Sequence, residues 1–147
     1  MDTKEKKRAF TLFEVMIVLF IIGIVGSVLS YNMRGSMERG KAFKTKEAIH
    51  KIYQIVSLEM SERGEPYRSD QNATEYIVAL LKNSGFIRKV DDYVRDGWGE
   101  NMRFSMRMVD RVWEPRIYSS HYERFCRKRG KPFDYPWEEE QEETHSP

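Results

Sequence analysis

The chain has little cysteine, and no proline occurs in its first 65 residues. Its 147 residues include one cysteine, Cys126, so an intrachain disulfide is excluded. The first proline is Pro66, so no proline interrupts a helix before that point. The formal net charge is only +2, which argues against a dedicated nucleic-acid-binding protein. These absences leave a chain that can open with one long helix and that has no internal covalent crosslink.

Patterns typical of catalytic or metal-binding sites are also missing. The three histidines, His50, His121 and His145, do not have the spacing of metal ligands. Cys126 has basic neighbours that favour a thiolate, but no histidine or asparagine motif of a cysteine nucleophile accompanies it. The sequence therefore predicts no enzymatic activity, no metal site and no cofactor, and we expect Cys126 to be a free thiol.

One apolar run, residues 10–29, dominates the sequence, and Glu14 is its only charged residue. As an α-helix the run would span about 30 Å, the thickness of the hydrocarbon core of a bilayer. The leader before the run carries four basic residues ahead of Ala9: Lys4, Lys6, Lys7 and Arg8. A carboxylate in a membrane segment costs about 2.5–3.5 kcal/mol on insertion scales, so the position of Glu14 requires an explanation.

Three interpretations of this amino terminus differ in how they explain Glu14. A secretory signal peptide has an apolar core of about 7–15 residues and a small-residue cleavage site, and neither feature fits. An ordinary single-pass anchor fits the length but has no use for the acid. A chain cut just before the run would place a new α-amino group, protonated near pH 7, about one helical turn from the carboxylate. The third interpretation explains the most residues.

Residues 6–15, Lys-Lys-Arg-Ala-Phe-Thr-Leu-Phe-Glu-Val, resemble the cleavage region of type IV pilins and pseudopilins. The resemblance implies that a prepilin peptidase cuts between Ala9 and Phe10 and that Phe10 is then N-methylated. It also implies an assembly role for Phe10 and Glu14, in which the glutamate pairs with the terminal amine of its own chain or of a neighbouring subunit. Ala9 stands where the family usually has glycine. The implied orientation places the leader inside the cell and the rest outside.

The apolar pattern continues beyond the membrane run as a one-sided stripe. Its members recur at spacings of three, four and seven residues: Ala42, Ile49, Ile52, Tyr53, Val56 and Met60. We therefore predict one helix over residues 10–62 that ends at Gly64 and Pro66.

Shorter elements are predicted downstream of this helix. Residues 73–82 have the pattern of a second helix, with Asn72 as its N-cap. Residues 102–109 alternate apolar and polar side chains, which predicts a half-buried strand. Residues 110–111 provide a turn, and residues 116–119 provide a second strand that pairs with the first.

A turn cluster at residues 96–101 contains one large aromatic residue, Trp98, which we expect to be a core aromatic at the end of the sheet. The cluster resembles the Trp-Gly loop of the major pseudopilin of type II secretion systems. Asp96, Trp98 and Gly99 agree with that loop, and Gly97 replaces a proline. The resemblance implies that these residues form a structural loop. Together with the leader, it covers most of residues 6–120.

The C-terminal part departs from this family. Major pseudopilins usually continue with a Gly- and Asp-rich loop that holds calcium, whereas residues 120–130 here are basic and contain one acid. We therefore predict no calcium site and keep Asp134 and Glu138 as the only candidates. The basic run, residues 124–131, is interpreted as a solvated face. Anionic lipid, nucleic acid, an acidic partner and the acidic run of residues 138–143 remain open as its ligands.

The patterns and the resemblance together predict an α+β pilin fold, in which a long N-terminal helix packs on a small antiparallel sheet. The expected organisation is a leader (1–9), a transmembrane and assembly helix (10–30), a periplasmic pilin-like domain (31–137) and an acidic, disordered tail (138–147). The resemblance implies a filament subunit of type II secretion in the inner membrane. Its implied partners are other copies, membrane lipid, the prepilin peptidase, minor pseudopilins, and the assembly platform with its ATPase. A type IV pilus or DNA-uptake pilin, or a membrane-tethered domain unrelated to filaments, are the alternatives.

Overall fold

The computed structural model describes residues 10–63 and 66–138, which form two compact units divided between Met37 and Glu38. The elements in chain order are α1 (Leu12–Arg63), α2 (Ala73–Ser84), α3 (Val90–Tyr93), β1 (Arg103–Val109), β2 (Val112–Tyr118) and α4 (Ser120–Arg129). The long helix α1 and the antiparallel hairpin of β1 and β2 together confirm the predicted α+β class. The leader and residues 139–147 lie outside the described residues, so the predictions about them stay predictions.

In the first unit, helix α1 exposes its large apolar side chains all round. Their exposed fractions range from 42 % for Ile17 to 90 % for Leu12. The hydroxyls of Ser27 and Ser30 donate to the carbonyls of Ile24 and Gly26 in the same helix, which satisfies them without water. Among the described residues, this is the one helix long and apolar enough to cross a membrane.

In the second unit, helix α1 buries one stripe and exposes the rest. The buried side chains recur every three or four residues, as the periodicity predicts: Ala42, Thr45, Ile49, Ile52 and Val56. They share a core with Ile77 and Leu81 of helix α2 and with Ile117 of strand β2. Apolar burial of this kind is the main force that holds the unit together.

Helix α2 begins and ends at the residues that local chemistry dictates. The Asn72 side chain accepts hydrogen bonds from the backbone N–H groups of Thr74 and Glu75, at 2.9 and 3.4 Å. Gly85 closes the helix with a left-handed φ of 71°, a conformation that costs glycine little. The predicted helix is confirmed and extends to Ser84. The short helix α3 was not predicted.

The two strands form a hairpin in the predicted antiparallel arrangement, with register from Arg103↔Tyr118 to Val109↔Val112. Asp110 and Arg111 have φ values of 49° and 69°, as a type I′ turn requires. Strand β2 begins at Val112, four residues earlier than predicted, and includes Pro115. A proline is tolerated there because each strand of a two-stranded sheet has an outer edge.

The C-terminal part contains a helix and an aromatic segment that the sequence pattern did not predict. Most of the basic run lies in helix α4, which buries Tyr122 and Cys126. Residues 133–137, here called the aromatic segment, then return to the core. The rings of Tyr135 and Trp137 stack with centroids 4.6 Å apart, and both residues are nearly fully buried. Trp137 also contacts the Tyr53 and Tyr118 rings, and the Arg116 guanidinium lies 5.0 Å from its centroid.

Candidate functional site

The first turn of helix α1 holds Glu14 in a capping box. The Glu14 Oε2 atom accepts a hydrogen bond from the Thr11 backbone N–H at 3.0 Å, and the Thr11 Oγ1 atom accepts from the Glu14 N–H at 3.3 Å. The spacing Thr-x-x-Glu is the usual sequence signal for this motif, and our prediction missed it at this position. Oε1 of Glu14 has no partner among the described residues and is available to another donor.

The predicted processing and assembly residues surround this turn. Ala9 lies outside the described residues. Phe10 is 84 % exposed and immediately precedes Thr11. The pairing of Glu14 with a terminal amine, and the cleavage itself, stay predictions. In the structure of the single chain, the partner of Glu14 is the Thr11 backbone.

Asp96 is the residue that organises the predicted structural loop. Asp96 is 4 % exposed, and its carboxylate accepts four hydrogen bonds. Oδ1 accepts from the backbone N–H groups of Trp98 and Glu100, at 2.9 and 3.0 Å. Oδ2 accepts from the Ser119 hydroxyl at 2.9 Å and lies 3.1 Å from Nδ1 of His121. One side chain therefore closes the loop and ties it to the first turn of helix α4.

The hydrogen bonds determine the charge state of Asp96. Burial is the largest single influence and raises the pKa of the carboxyl. The hydrogen bonds from Ser119, from the Glu100 and Trp98 amides and from His121 together outweigh it, so the pKa lies below its ordinary value of 3.8. The loop is therefore built around a carboxylate that is ionised at neutral pH.

Gly97 fits the loop against helix α1. A Cβ atom at this position would overlap the backbone carbonyl of Lys41. The Gly97 N–H donates to the Thr45 Oγ1 atom at 2.8 Å, and the Thr45 hydroxyl donates to the Lys41 carbonyl at 2.8 Å. This position therefore requires a residue that has no side chain and that keeps its backbone N–H. Proline has a side chain and lacks the N–H. Sequence comparison marked Gly97 only as a departure from the family.

The position of Trp98 differs from the expectation that it is a core aromatic residue. It is only half-buried and packs at the edge of the core, not within it. Its ring stacks on His121 of helix α4, with centroids 5.4 Å apart and a 16° angle between planes. Its indole N–H points to the Glu38 carboxylate of helix α1, at 3.2 Å. An indole is stable at such a half-exposed position because its N–H keeps a hydrogen-bond acceptor.

Three of the predicted loop residues therefore come together, and two residues join them that were not predicted. Gly99 has a φ of 90°, which favours glycine, and its N–H donates to the Asp96 carbonyl. Ser119 caps helix α4 by accepting from the Tyr122 N–H, and it also donates to Asp96. Ser119 precedes a helix and could have been found as an N-cap. The contact with His121 is tertiary and has no sequence signal.

The structure changes the interpretation of Cys126 and places the candidate calcium ligands. Cys126 lies on the buried side of helix α4, and burial raises the pKa of its thiol, although nearby Tyr122 and Lys131 act in the opposite direction. The basic neighbours therefore do not produce a thiolate. The Asp134 carboxylate pairs with Lys46, and the described ranges 10–63 and 66–138 contain no group of three or more His, Cys, Asp or Glu arranged to hold a metal ion.

Comparison with known proteins finds a family model that matches the amino-terminal segment and relatives that match most of the chain. Residues 4–30 match the family model of the prokaryotic N-terminal methylation motif. A protein named "Putative outer membrane protein" from Chlamydia trachomatis serovar D is 32 % identical over 108 residues, which cover 71 % of this chain and 82 % of that protein. A protein of the same description from Chlamydia pneumoniae is 30 % identical over 102 residues, covering 69 % and 80 %.

A secretion protein matches a shorter stretch. The type II secretion system core protein G of Escherichia coli K12 is 41 % identical over 59 residues, which cover 40 % of this chain and 37 % of that protein. No solved structure matches the chain.

Proposed function

Because the chain belongs to the type IV pilin-like proteins that carry a prokaryotic N-terminal methylation motif, we propose that it is a structural subunit of a type II secretion pseudopilus. In this proposal a prepilin peptidase cuts between Ala9 and Phe10, and the mature chain is held in the inner membrane with the domain of residues 31–137 in the periplasm. Copies then polymerise on an assembly platform with its ATPase and with minor pseudopilins. The filament helps to drive protein export across the outer membrane, and the subunit performs no catalysis.

The observation that carries this proposal is the first turn of helix α1. The exposed apolar run of residues 10–29 contains one carboxylate, that of Glu14, and among the described residues only one of its two oxygens has a partner, the Thr11 N–H. An ionised group in apolar surroundings is stabilised by an opposite charge, and a liberated amine at Phe10 would supply one. Because the carboxylate lies beside the cut site in every copy, neighbouring subunits can use the same pairing. The 59-residue match to core protein G favours secretion over a pilus.

The amino terminus of the mature protein tests processing. We would co-express the full chain with a prepilin peptidase and determine the terminal peptide by mass spectrometry. The expected product begins with N-methyl-Phe10. Ala9→Gly restores the family residue and should be cut at least as completely, whereas a bulky Ala9→Leu should block the cut. An intact leader, or a cut beyond Leu29, would reject the proposal and leave a membrane-tethered domain.

Two substitutions at Glu14 then separate helix capping from charge pairing. Glu14→Gln keeps an oxygen that can accept from the Thr11 N–H but removes the charge, and Glu14→Ala removes both. If the charge recruits the next subunit, crosslinking between copies in membranes should fall by about tenfold or more in both variants. If Glu14→Gln crosslinks as well as the unmodified chain, capping alone explains the residue and the assembly role is wrong.

Cell fractionation decides between the locations that the relatives suggest. The chlamydial relatives are named outer membrane proteins, whereas a pseudopilin subunit is stored in the inner membrane. We expect the unassembled chain in the inner membrane fraction, with residues 31–137 accessible to protease only after the outer membrane is opened. Co-purification with a pilus, and not with the secretion machinery, would favour the alternative of a type IV or DNA-uptake pilin.

A further inference from the structure

Helix α4 has a second face that the filament proposal does not use. Tyr122 and Cys126 point into the core. Five other side chains recur at positions i, i+3, i+4, i+7 and i+8, which places them on one side of the helix: His121, Arg124, Phe125, Lys128 and Arg129. This set is called the cationic face below. It combines three fixed positive charges with two aromatic rings.

The charges on this face are not neutralised by the described part of the chain. Arg127, which lies off the face, pairs with Glu123 at 3.0 Å. Within residues 10–63 and 66–138, neither Arg124 nor Lys128 has a carboxylate partner, and the Arg129 guanidinium lies over the Phe125 ring at 4.9 Å. Exposed cations without counter-ions attract anions from solution.

The cationic face borders a groove of about 480 Å³, a volume within the usual range of ligand pockets. Trp98 and Glu38 complete its wall. Glu38 is the one carboxylate in the wall, and it bonds to the indole N–H of Trp98. The groove therefore presents a net positive charge beside two half-buried aromatic rings, Trp98 and Phe125.

We propose that the cationic face binds the anionic phospholipid headgroups of the membrane that holds residues 10–29. Arginine and lysine bind phosphate groups, and aromatic side chains are favoured at the membrane–water interface. Glu38 is nine residues beyond Leu29, so even a fully extended connection keeps it within about 32 Å of the apolar run. This tether keeps the local concentration of headgroups high. The inference needs only the membrane anchor and is independent of filament assembly.

The composition of the cationic face favours lipid as its ligand over the acidic run of residues 138–143. An acidic peptide segment would need only the cations. A bilayer interface also accommodates half-buried aromatic residues such as Trp98 and Phe125, as it does in amphipathic helices that lie on membranes. The acidic run is therefore the competing occupant that the experiment must distinguish.

Chemical footprinting of arginines tests the proposal on the full, uncleaved chain. The chain would be placed in lipid nanodiscs of phosphatidylcholine alone, or with roughly one third phosphatidylglycerol. The rate of phenylglyoxal modification would then be measured for each arginine by mass spectrometry. We expect Arg124 and Arg129 to react about fivefold more slowly in the anionic discs. The exposed Arg103 and Arg107 of strand β1 should react equally in both, and about 1 M salt should remove the protection.

Paired variants and a truncation identify the occupant. Arg124→Gln with Lys128→Gln should abolish the protection of Arg129, whereas the matched Arg103→Gln with Arg107→Gln should leave it intact. Equal labelling in the two lipid mixtures would overturn the proposal. Protection that occurs in both mixtures, and that disappears when the chain ends at Glu138, would also overturn it and assign the face to the acidic run. Unprocessed, monomeric chain suffices, so a failure of the pseudopilus proposal would leave these results unaffected.

Discussion

Helix α1 places similar apolar residues in two different environments. In residues 10–37 its large apolar side chains are exposed all round, whereas in residues 38–63 a single stripe, including Ile49, Ile52 and Val56, is buried. A helix that is apolar on every side requires an apolar solvent, and a helix with one apolar stripe requires a protein core. One continuous helix can therefore fit a lipid environment at one end and a folded core at the other.

Alanine substitutions in the two regions should produce the largest contrast. Ile52 is fully buried, so Ile52→Ala should lower the free energy of unfolding of the second unit by about 2–5 kcal/mol. Ile22 is 60 % exposed, so Ile22→Ala should change that free energy by less than about 0.5 kcal/mol in detergent micelles. Chemical denaturation followed by near-UV circular dichroism measures both. Equal losses would mean that the two parts of helix α1 share one core.

Two glycine substitutions should have smaller effects on the free energy of unfolding, and the two effects should have opposite signs. Gly97→Ala would push a methyl group into the Lys41 carbonyl, so it should cost about 1–3 kcal/mol of unfolding free energy. Gly40 lies in helix α1, where a Cβ added at this position would meet no neighbouring element within 4 Å, so Gly40→Ala should stabilise by about 0.5–1 kcal/mol. Thermal unfolding of the two variants compares them directly. A neutral Gly97→Ala would show that the loop does not pack tightly on helix α1.

The pH dependence of stability isolates the Asp96 carboxylate. Its pKa is lower in the folded chain than its ordinary value of 3.8, so its contribution is fully present above about pH 4 and is lost as the pH falls through the folded pKa. Asp96→Asn should cost about 1–2 kcal/mol at pH 7 and should reduce the loss of stability that occurs as the pH falls below about 4. Urea unfolding across this pH range measures the effect. An unchanged acid profile in the variant would assign the loss to other carboxyl groups.

The N-caps should give the smallest contrast. Asn72→Ala removes the acceptor for two helix N–H groups and should lower the unfolding free energy by about 1 kcal/mol. Thr11→Ala removes the corresponding acceptor in the other region, where no packed core depends on it, and should leave the unfolding transition unchanged. Amide hydrogen exchange in the first turn of each helix should increase in its own variant. A destabilised core in Thr11→Ala would contradict the independence of the two regions.

Local sequence signals predicted the elements whose formation is local. The apolar periodicity of helix α1, the Asn72 and Gly85 caps of helix α2, and the alternating strands of the hairpin all appear in the sequence and in the structure. Helix α4, which begins after Ser119 and ends before Gly130, was missed because only Tyr122 and Cys126 form its buried stripe among many charged residues. Its caps were readable, but its apolar pattern was too sparse to predict a helix.

The structural loop was predictable only in part. The resemblance identified Asp96, Trp98 and Gly99, and the structure brings all three together. The need for Gly97 depends on its close approach to a residue 56 positions earlier, Lys41. No local pattern encodes a contact of that range, because it exists only once the loop and the helix have met.

The aromatic segment determines when the second unit can finish folding. Tyr135 and Trp137 are core residues, yet they lie within the last 13 positions of the chain. A nascent polypeptide that has delivered helix α1, the hairpin and helix α4 still lacks the rings that cover Tyr53 and Arg116. The second unit therefore stays incomplete until the aromatic segment itself has been synthesised.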